Sequence, residues 1–390
     1  MDKHSKYIIY LLKCVIKNEL PETVPNDINW ELLFNLAQYH NVSNLVYYAL
    51  QNCLGMIDPQ TVEKLTMMYD QYIVVEVQQQ YYLDLICDSF EDAGILYVPM
   101  KGSVIKHLYP EPNLRSSTDI DVYIGKGNAA KAKAVMDKLD FETIEYDAEV
   151  LIHDTYRIGD FVMVELHHEL LPKVPYFKGI EICPELQSSI IPMEGKKYGY
   201  EFTKESFYIF MIIHIAKHVK HNGMGIRGYL DVWIYLREYK DILDWDLINE
   251  LFEKADLTTF HNKVLGLVDY WFNEKKTDDA DVLAFSAHTI GSGLMGTQQM
   301  VVSEELYKNK EEKKKHKYYI DTIFLPMEFM RDKYKILRKV PALLPLCWIH
   351  RIFNVVLFKR SRLTTMKEHF NDADMARGER IVKLKERLGL

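Results

Sequence analysis

The stretch that decides the fold is residues 94–124, GILYVPMKGSVIKHLYPEPNLRSSTDIDVYI. A short apolar run (95–100), rich in β-prone residues, leads into a Lys-Gly-Ser turn, and a brief helical segment closed by Pro110 follows. The loop 110–118 is rich in turn-forming residues, and 119–124 alternates polar and apolar side chains as a half-buried strand does. The stretch is therefore predicted to run strand, turn, helix, loop, strand.

Further elements extend this pattern in both directions. A helix is predicted to begin near Asn128, and 141–146 and 160–168 predict two more strands. Before about residue 93 and after about residue 204, apolar residues recur at helical spacing. The predicted fold class is therefore α+β, with a small mixed β-sheet core and flanking helical regions.

The bulk composition is that of an ordinary globular protein, with 48% hydrophobic residues and a net charge of −8. A mildly acidic chain argues against general nucleic-acid binding. The five cysteines are scattered, odd in number and without a CxxC pair, which favours reduced thiols over disulfides or a zinc site. The N-terminal apolar run is short and broken by Lys13 and Lys17, unlike a signal peptide, so a cytoplasmic location is expected.

Two carboxylates, Asp119 and Asp121, lie two residues apart on a predicted strand and so point to the same face. Adjacent carboxylates repel each other, and the arrangement is costly unless a cation neutralises it. Carboxylate oxygens suit Mg²⁺, which shares phosphate oxygens with its substrate. An Asp-x-Asp pair also occurs by chance on exposed strands, so the pair alone is a weak signal.

The turn upstream of these carboxylates adds a second indication. Gly102 lets the backbone approach a ligand closely, and the helix that follows directs its first N–H groups outward. With Lys101 as a positive charge and Ser103 as a hydroxyl donor, the turn has the features of a triphosphate cradle. A simple strand-to-helix turn explains the same residues equally well. Arg115 either holds a phosphate with its planar fork or pairs with Asp119 or with Glu165 of a later predicted strand.

A third carboxylate is expected from the strand in 160–168. Strict alternation places Phe161, Met163, Glu165 and His167 on one face of this strand. Glu165 is expensive to bury alone, so a metal or a buried arginine is its expected partner. It could ligate the metal or act as base on an acceptor hydroxyl, whereas a purely structural ion pair is the alternative.

Three histidines, His214, His218 and His221, share one face of a predicted helix. The set lacks an HExxH motif and a carboxylate at ligand spacing, so zinc is disfavoured. Contact of His218 or Lys217 with nucleotide or acceptor is favoured over zinc, and a polar face that lines a domain interface is the alternative.

Gly102-Ser103 followed by Asp119-Ile120-Asp121 resembles the signature of the DNA polymerase β-like nucleotidyltransferase superfamily. The fuller string is most similar to the uncharacterised bacterial nucleotidyltransferase family with a KG…R…DID motif. The residues that carry this resemblance are Lys101-Gly102, Tyr109-Pro110, Arg115, Asp119 to Asp121 and Glu165 to His167, with a looser likeness at His214, His218, Arg227 and Asp231.

The resemblance implies a nucleoside triphosphate and two divalent ions, Mg²⁺ or Mn²⁺, bound by Asp119, Asp121 and Glu165. The implied reaction transfers a nucleoside monophosphate to a hydroxyl of an unidentified small-molecule or peptide acceptor. Two alternatives stay open, which are transfer of the γ-phosphate from the same site and a non-catalytic binding module with this fold. The predicted regions are an N-terminal helical region (1–93), a nucleotidyltransferase core (94–200), a helical substrate and nucleotide side (201–300) and a basic helical C-terminus (301–390).

The apolar stretch 340–358 lies between basic residues and is interrupted by Pro341, Pro345 and Arg351. These interruptions argue against an ordinary membrane-spanning helix. A buried helix with a solvated basic flank is the favoured interpretation. Peripheral contact with an anionic membrane through 331–363 is the alternative.

Overall fold

The computed structural model describes residues 1–22, 24–25, 27–145, 152–171, 182–221, 223–294, 296–308, 324–325, 327, 330–331, 334, 336–358 and 374–390. These form two compact units, Met1–Met295 with Leu388–Leu390, and Gly296–Arg387. The α+β prediction is confirmed, because the first unit combines a small mixed sheet with many helices. The division into four regions stays a prediction, and the charge run 309–317 lies outside the described residues.

Four helices form the N-terminal part of the first unit, α1 (Lys3–Lys17), α2 (Trp30–Tyr39), α3 (Ser43–Leu50) and α4 (Pro59–Ala93). Side chains cap three of these helices at free backbone amides: Asp2 caps α1, Asn29 caps α2 and Asp58 caps α4. The 35-residue helix α4 ends at Gly94, whose φ of 65° is the left-handed conformation that glycine adopts at low cost. The first strand of the β-sheet begins shortly after this residue, at Val98.

A five-stranded sheet follows, built from β1 (Val98–Pro99), β2 (Ile120–Tyr123), β3 (Glu142–Glu145), β4 (His153–Ile158) and β5 (Val162–His167). The strand order is β1-β2-β5-β4-β3, and only the β2–β5 pair is parallel. Val122, Val164 and Leu166 are buried on one face against α4 and the helix α6 (Ala129–Lys138). Because side chains alternate along a strand, the polar residues between them lie on the opposite face.

The chain between the sheet and the next long helix contains shorter elements. They are α7 (Cys183–Ser188) and a two-stranded antiparallel sheet of β6 (Ile190–Pro192) and β7 (Tyr200–Phe202). A further short helix, α5 (Gly102–Ile105), lies earlier in the chain, between β1 and β2. The sequence did not predict this second sheet, since three-residue strands are too short for alternation to be recognised.

Five further helices complete the first unit, α8 (Lys204–His221), α9 (Ile226–Tyr239), α10 (Trp245–Lys254), α11 (Thr258–Phe272) and α12 (Ala280–Ser292). Helix α8 is buried over most of its circumference, as Ile209, Ile212, Ile213 and Ala216 show. A helix that is apolar on nearly all sides belongs inside a protein. Polar side chains are unusual in such a helix, and those of His214, Lys217 and His218 line a cavity.

The second unit contains α13 (Gln298–Lys308), α14 (Ile336–Lys339), α15 (Leu344–Phe358) and α16 (Met375–Arg387). In α15, Cys347 packs in a small cluster with Met330 and Leu337. Leu346, Ile349 and Phe353 are all more than half exposed. The interpretation of 340–358 as a buried helix was therefore wrong. None of the helices in the described parts of the chain is long and apolar enough to cross a membrane.

Candidate active site

The structure brings three carboxylates together on one face of the sheet, where the interior strands β2 and β5 lie side by side. In the parallel register Asp121 is the partner of Glu165, and Asp119 precedes β2 by one residue. One ligand oxygen from each of Asp119, Asp121 and Glu165 lies within 4.8 Å of the others. All three point away from the apolar face of the sheet, as the alternation of each strand requires.

Three basic side chains contact these carboxylates. Lys101 Nζ lies 2.6 Å from Asp121 Oδ1. His167 Nε2 lies 2.8 Å from the same oxygen and 3.3 Å from Glu165 Oε2. His153 Nε2 lies 3.5 Å from Glu165 Oε1. Sequence reasoning gave neither histidine a role, although the alternation of 161–167 had placed His167 on the face of Glu165.

The electrostatics of the two aspartates differ. Burial raises the pKa of Asp121, but the charge of Lys101 and the hydrogen bond from His167 outweigh this and bring the pKa well below its ordinary value. Burial and the neighbouring charge of Asp121 raise the pKa of Asp119, and Lys101 compensates only in part. The carboxylate cluster thus carries more negative charge than its basic neighbours offset. A divalent cation fits this site, both in charge and because carboxylate oxygens are its preferred donors.

The turn at Lys101 is strained and tightly packed. Lys101 has φ 45° and ψ −117°, a backbone conformation that non-glycine residues rarely adopt. A Cβ at Gly102 would collide with Arg115 Nη1 and lie 2.9 Å from Ser117 Oγ. Glycine is therefore needed here for close packing against Arg115. The conformation directs Lys101 at Asp121, which links the turn to the carboxylates.

Two amides of this turn donate within the turn itself and are not available to a phosphate. Ser103 N–H donates to Met100 O at 3.0 Å, and Val104 N–H donates to Lys101 O at 3.2 Å. Ser103 lines a neighbouring cavity of about 600 Å³, which holds none of the three carboxylates. Helix α5 has only four residues, so few free N–H groups remain for an anion.

Arg115 is held in a buried ion pair with Asp231 of α9. Arg115 Nη2 lies 3.0 Å from Asp231 Oδ2, and the Tyr109 hydroxyl donates to Asp231 Oδ1 at 2.7 Å. The sequence had suggested a phosphate, Asp119 or Glu165 as the partner of Arg115. The Arg115 guanidinium instead connects the loop before β2 to α9 through Asp231. Arg115 also lines the cavity beside the carboxylates.

Helices α8 and α9 form the opposite wall of that cavity, whose volume is about 330 Å³. Lys217 and Arg227 line it, and among described residues Lys217 has no carboxylate within ion-pair distance. Burial lowers the pKa of Arg227 to about 10, with a further contribution from Arg115, and it lowers the pKa of Lys217 as well. Such buried cations are costly unless an anion enters the cavity.

His214 and His218 also face this cavity, with their Nε2 atoms 3.0 Å apart. Burial and the charge of Lys217 lower the pKa of His218 to about 3, so the ring is neutral at physiological pH. His221, the third histidine of the predicted face, is not among the residues that line the cavity. His218 can therefore contact a ligand by hydrogen bonds rather than by charge.

A family model described as uncharacterised nucleotidyltransferase matches residues 26–273, more than half of the 390-residue chain. The chain belongs to this family. The matched range contains the three carboxylates, the turn at Lys101 and both helices of the opposite wall. No curated protein and no solved structure matches the chain. The match supports a nucleotidyltransferase with a nucleoside triphosphate as substrate, whereas the finer KG…R…DID grouping stays a prediction.

The excess negative charge in this nucleotidyltransferase leads to a prediction about its stability without metal. The Asp119→Asn variant should have a Tm higher than the parent by about 2 °C, equivalent to about 1 kcal/mol, because it removes like-charge repulsion. Because the folded-state pKa of Asp119 is raised, its ionised form opposes folding. The difference in Tm should therefore shrink as the pH falls through that pKa.

Scanning calorimetry in a chelator, repeated across pH, measures this difference. Added Mg²⁺ should raise the Tm of the parent more than that of the variant, since a ligand that binds only the folded state stabilises it. A variant that is less stable than the parent in chelator would contradict the proposed charge imbalance.

Proposed function

We propose that this nucleotidyltransferase transfers a nucleoside monophosphate from a nucleoside triphosphate to a hydroxyl of a small-molecule or peptide acceptor. The observation that carries the proposal is the parallel β2–β5 pairing, which gathers three carboxylates at a cavity with Lys217 and Arg227 on its opposite wall. Anionic and cationic walls across one cavity suit a metal-bound polyphosphate better than a neutral ligand.

In this proposal Asp119, Asp121 and Glu165 hold two divalent ions, Mg²⁺ or Mn²⁺. When bound, such ions neutralise charge on the reacting phosphate and the leaving pyrophosphate and acidify the attacking hydroxyl. Lys101 lies 2.6 Å from Asp121 and keeps this carboxylate ionised and in place. A carboxylate held in this way lowers the cost of reaching the reactive geometry.

The remaining side chains bind and orient the substrate. Lys217 and Arg227 are the proposed polyphosphate contacts, in addition to the Lys101, Gly102, Ser103, Arg115 and His218 set predicted from the sequence. Of that set, Ser103 and Arg115 have the weakest structural support, because Ser103 faces the other cavity and Arg115 is paired with Asp231. His218 is proposed to contact the nucleoside or the acceptor.

The transfer forms a bond between the acceptor oxygen and the α-phosphorus and breaks the bond from that phosphorus to the bridging oxygen of pyrophosphate. The electron pair leaves with pyrophosphate, and Glu165 accepts the hydroxyl proton. Burial raises the pKa of Glu165, but hydrogen bonding to His167 and the proximity of His153 bring it below its ordinary value. Glu165 is therefore ionised at neutral pH and can accept a hydrogen bond from the incoming hydroxyl.

Labelled nucleotides test this proposal. The protein is incubated with Mg²⁺, pools of hydroxyl-bearing metabolites and peptides, and ATP that carries label on either the α- or the γ-phosphate. We expect label in a product from α-labelled ATP only, with release of pyrophosphate. Product labelled only from γ-labelled ATP would establish a kinase-like reaction instead. If calorimetry detects no binding of ATP and Mg²⁺ at millimolar concentration, the protein is a binding module and the proposal fails.

A further inference from the structure

Two histidines flank Glu165 because of strand geometry rather than side-chain flexibility. In the antiparallel β4–β5 register, His153 and His167 are directly opposed, and Thr155 is the partner of Glu165. Glu165 and His167 are two residues apart on β5 and therefore share a face. His153 joins them on that face, so the backbone pairing alone gathers two imidazoles and one carboxylate.

The distances within this group are short enough for a shared ligand. Its three ligand atoms all lie within 4.8 Å of one another. Glu165 directs Oε1 to His153 Nε2 at 3.5 Å and Oε2 to His167 Nε2 at 3.3 Å. The two rings lie 5.0 Å apart between centroids. Both rings thus present Nε2 to the same carboxylate. A cation there takes the place of the hydrogen bond between His167 Nε2 and Asp121 Oδ1, which are 2.8 Å apart.

The opposite nitrogen of each ring makes no compensating contact. Nδ1 of His153 and Nδ1 of His167 are buried, and neither has a hydrogen-bond partner within the described parts of the chain. His167 is 3% exposed. The contacts that both rings make with Glu165 are therefore on the Nε2 side.

We propose that His153, Glu165 and His167 form a nitrogen-rich cation site for a first-row transition ion such as Mn²⁺, Co²⁺ or Zn²⁺. Two imidazoles with one carboxylate are the donor set that such ions favour, whereas Mg²⁺ favours oxygen donors and water. Glu165 belongs to this site and also to the carboxylate set with Asp119 and Asp121. The protein therefore holds two adjoining cation sites of different ligand chemistry that share one side chain.

The inference goes beyond the proposed function and does not depend on it, since the ion should bind without nucleotide or acceptor. It also predicts a selectivity. The Asp119–Asp121 set offers oxygen donors only, so Mg²⁺ should compete there. Mg²⁺ should compete poorly at the two imidazoles, because it gives up its waters reluctantly. A transition ion at His153 and His167 is therefore expected to resist an excess of Mg²⁺.

Cobalt titration of the full chain tests the site, because nitrogen ligands intensify the visible absorption of Co²⁺ relative to the hydrated ion. In millimolar Mg²⁺, which competes for the oxygen-donor set, we expect one Co²⁺ per chain with an intensified spectrum. His153→Ala should weaken binding by at least about tenfold, since the loss of even indirect support for a ligand costs 10–100-fold. His153→Gln serves as the second variant, and circular dichroism verifies that both fold.

Two matched variants make the outcome decisive. His218→Ala removes one histidine of the His214–His218 pair in the same cavity. Asp119→Asn removes an oxygen donor that the proposed site does not use. Both should retain the intensified spectrum. The proposal is overturned if the parent spectrum matches that of hydrated Co²⁺, if His153→Ala binds like the parent, or if His218→Ala is the variant that loses binding. None of these measurements involves nucleotide, so their failure is separate from failure of the labelling experiment.

Discussion

Replacing Asp121 with alanine should reduce transfer of the α-phosphate by at least about a thousandfold. The variant removes the carboxylate that lies between Lys101 and Glu165, and with it a ligand for divalent cations in the proposed site. Bound cations supply several kcal/mol of charge stabilisation in such reactions, and each 1.36 kcal/mol corresponds to tenfold in rate. The loss should appear in kcat and in kcat/KM together, because the missing interaction acts on the transition state.

The effect of the Asp121 substitution on folding stability has to be distinguished from its effect on the rate of transfer. Without Asp121, the charge of Lys101 is left in a largely buried place without its close partner, which costs stability. Asp121→Asn keeps the size of the side chain, and Asp121→Ala combined with Lys101→Met removes both charges. All three variants should lose transfer, whereas the double variant should recover part of the lost Tm.

Initial rates of label transfer from α-labelled ATP provide the measurement. Asp137→Ala is the matched control, since this carboxylate is exposed on α6 and its ion pair among the described residues is with Lys133 of the same helix. It should leave the rate unchanged. Transfer by Asp121→Ala within tenfold of the parent would exclude Asp121 from the reaction centre.

The parts of the fold and site that could be predicted are those set by local periodicity. Alternation along one strand was enough to place Asp119 and Asp121 on one face, and the same argument placed Glu165 with His167. The glycine at 94 and the turn at 101–103 marked the ends of elements because their backbone requirements are local. These features need no knowledge of which strand lies beside which.

The parts that could not be predicted depend on contacts between distant segments. The β2–β5 pairing brings Asp121 next to Glu165, which lies 44 residues later in the chain. The sequence of neither strand indicates which strand it pairs with. Lys217 and Arg227 face the cavity because α8 and α9 pack across from the sheet, which helical spacing does not encode. The position of His153 beside Glu165 follows from the pairing of β4 with β5, which the sequence does not show.

Arg115 illustrates the same limit and leads to the second large expected effect. Its partner Asp231 is 116 residues away, and both side chains are buried. Replacing Asp231 with alanine should lower the free energy of unfolding by about 3–5 kcal/mol, because one partner of a buried ion pair is left uncompensated. The Tyr109 hydroxyl loses its acceptor in the same variant, which adds to the cost.

Urea unfolding of the full chain measures this loss. Asp88→Ala is the matched control, because Asp88 pairs with Lys196 at the surface and exposed ion pairs contribute only about 0–1 kcal/mol. A cost below about 1 kcal/mol for Asp231→Ala would show that the Arg115 fork is not held by this pair. In that case Arg115 would be free to turn toward a phosphate in the adjoining cavity, as the sequence had suggested. A large cost, partly relieved by adding Arg115→Met, would instead establish that Arg115 acts by fixing α9, and with it Arg227, opposite the carboxylates.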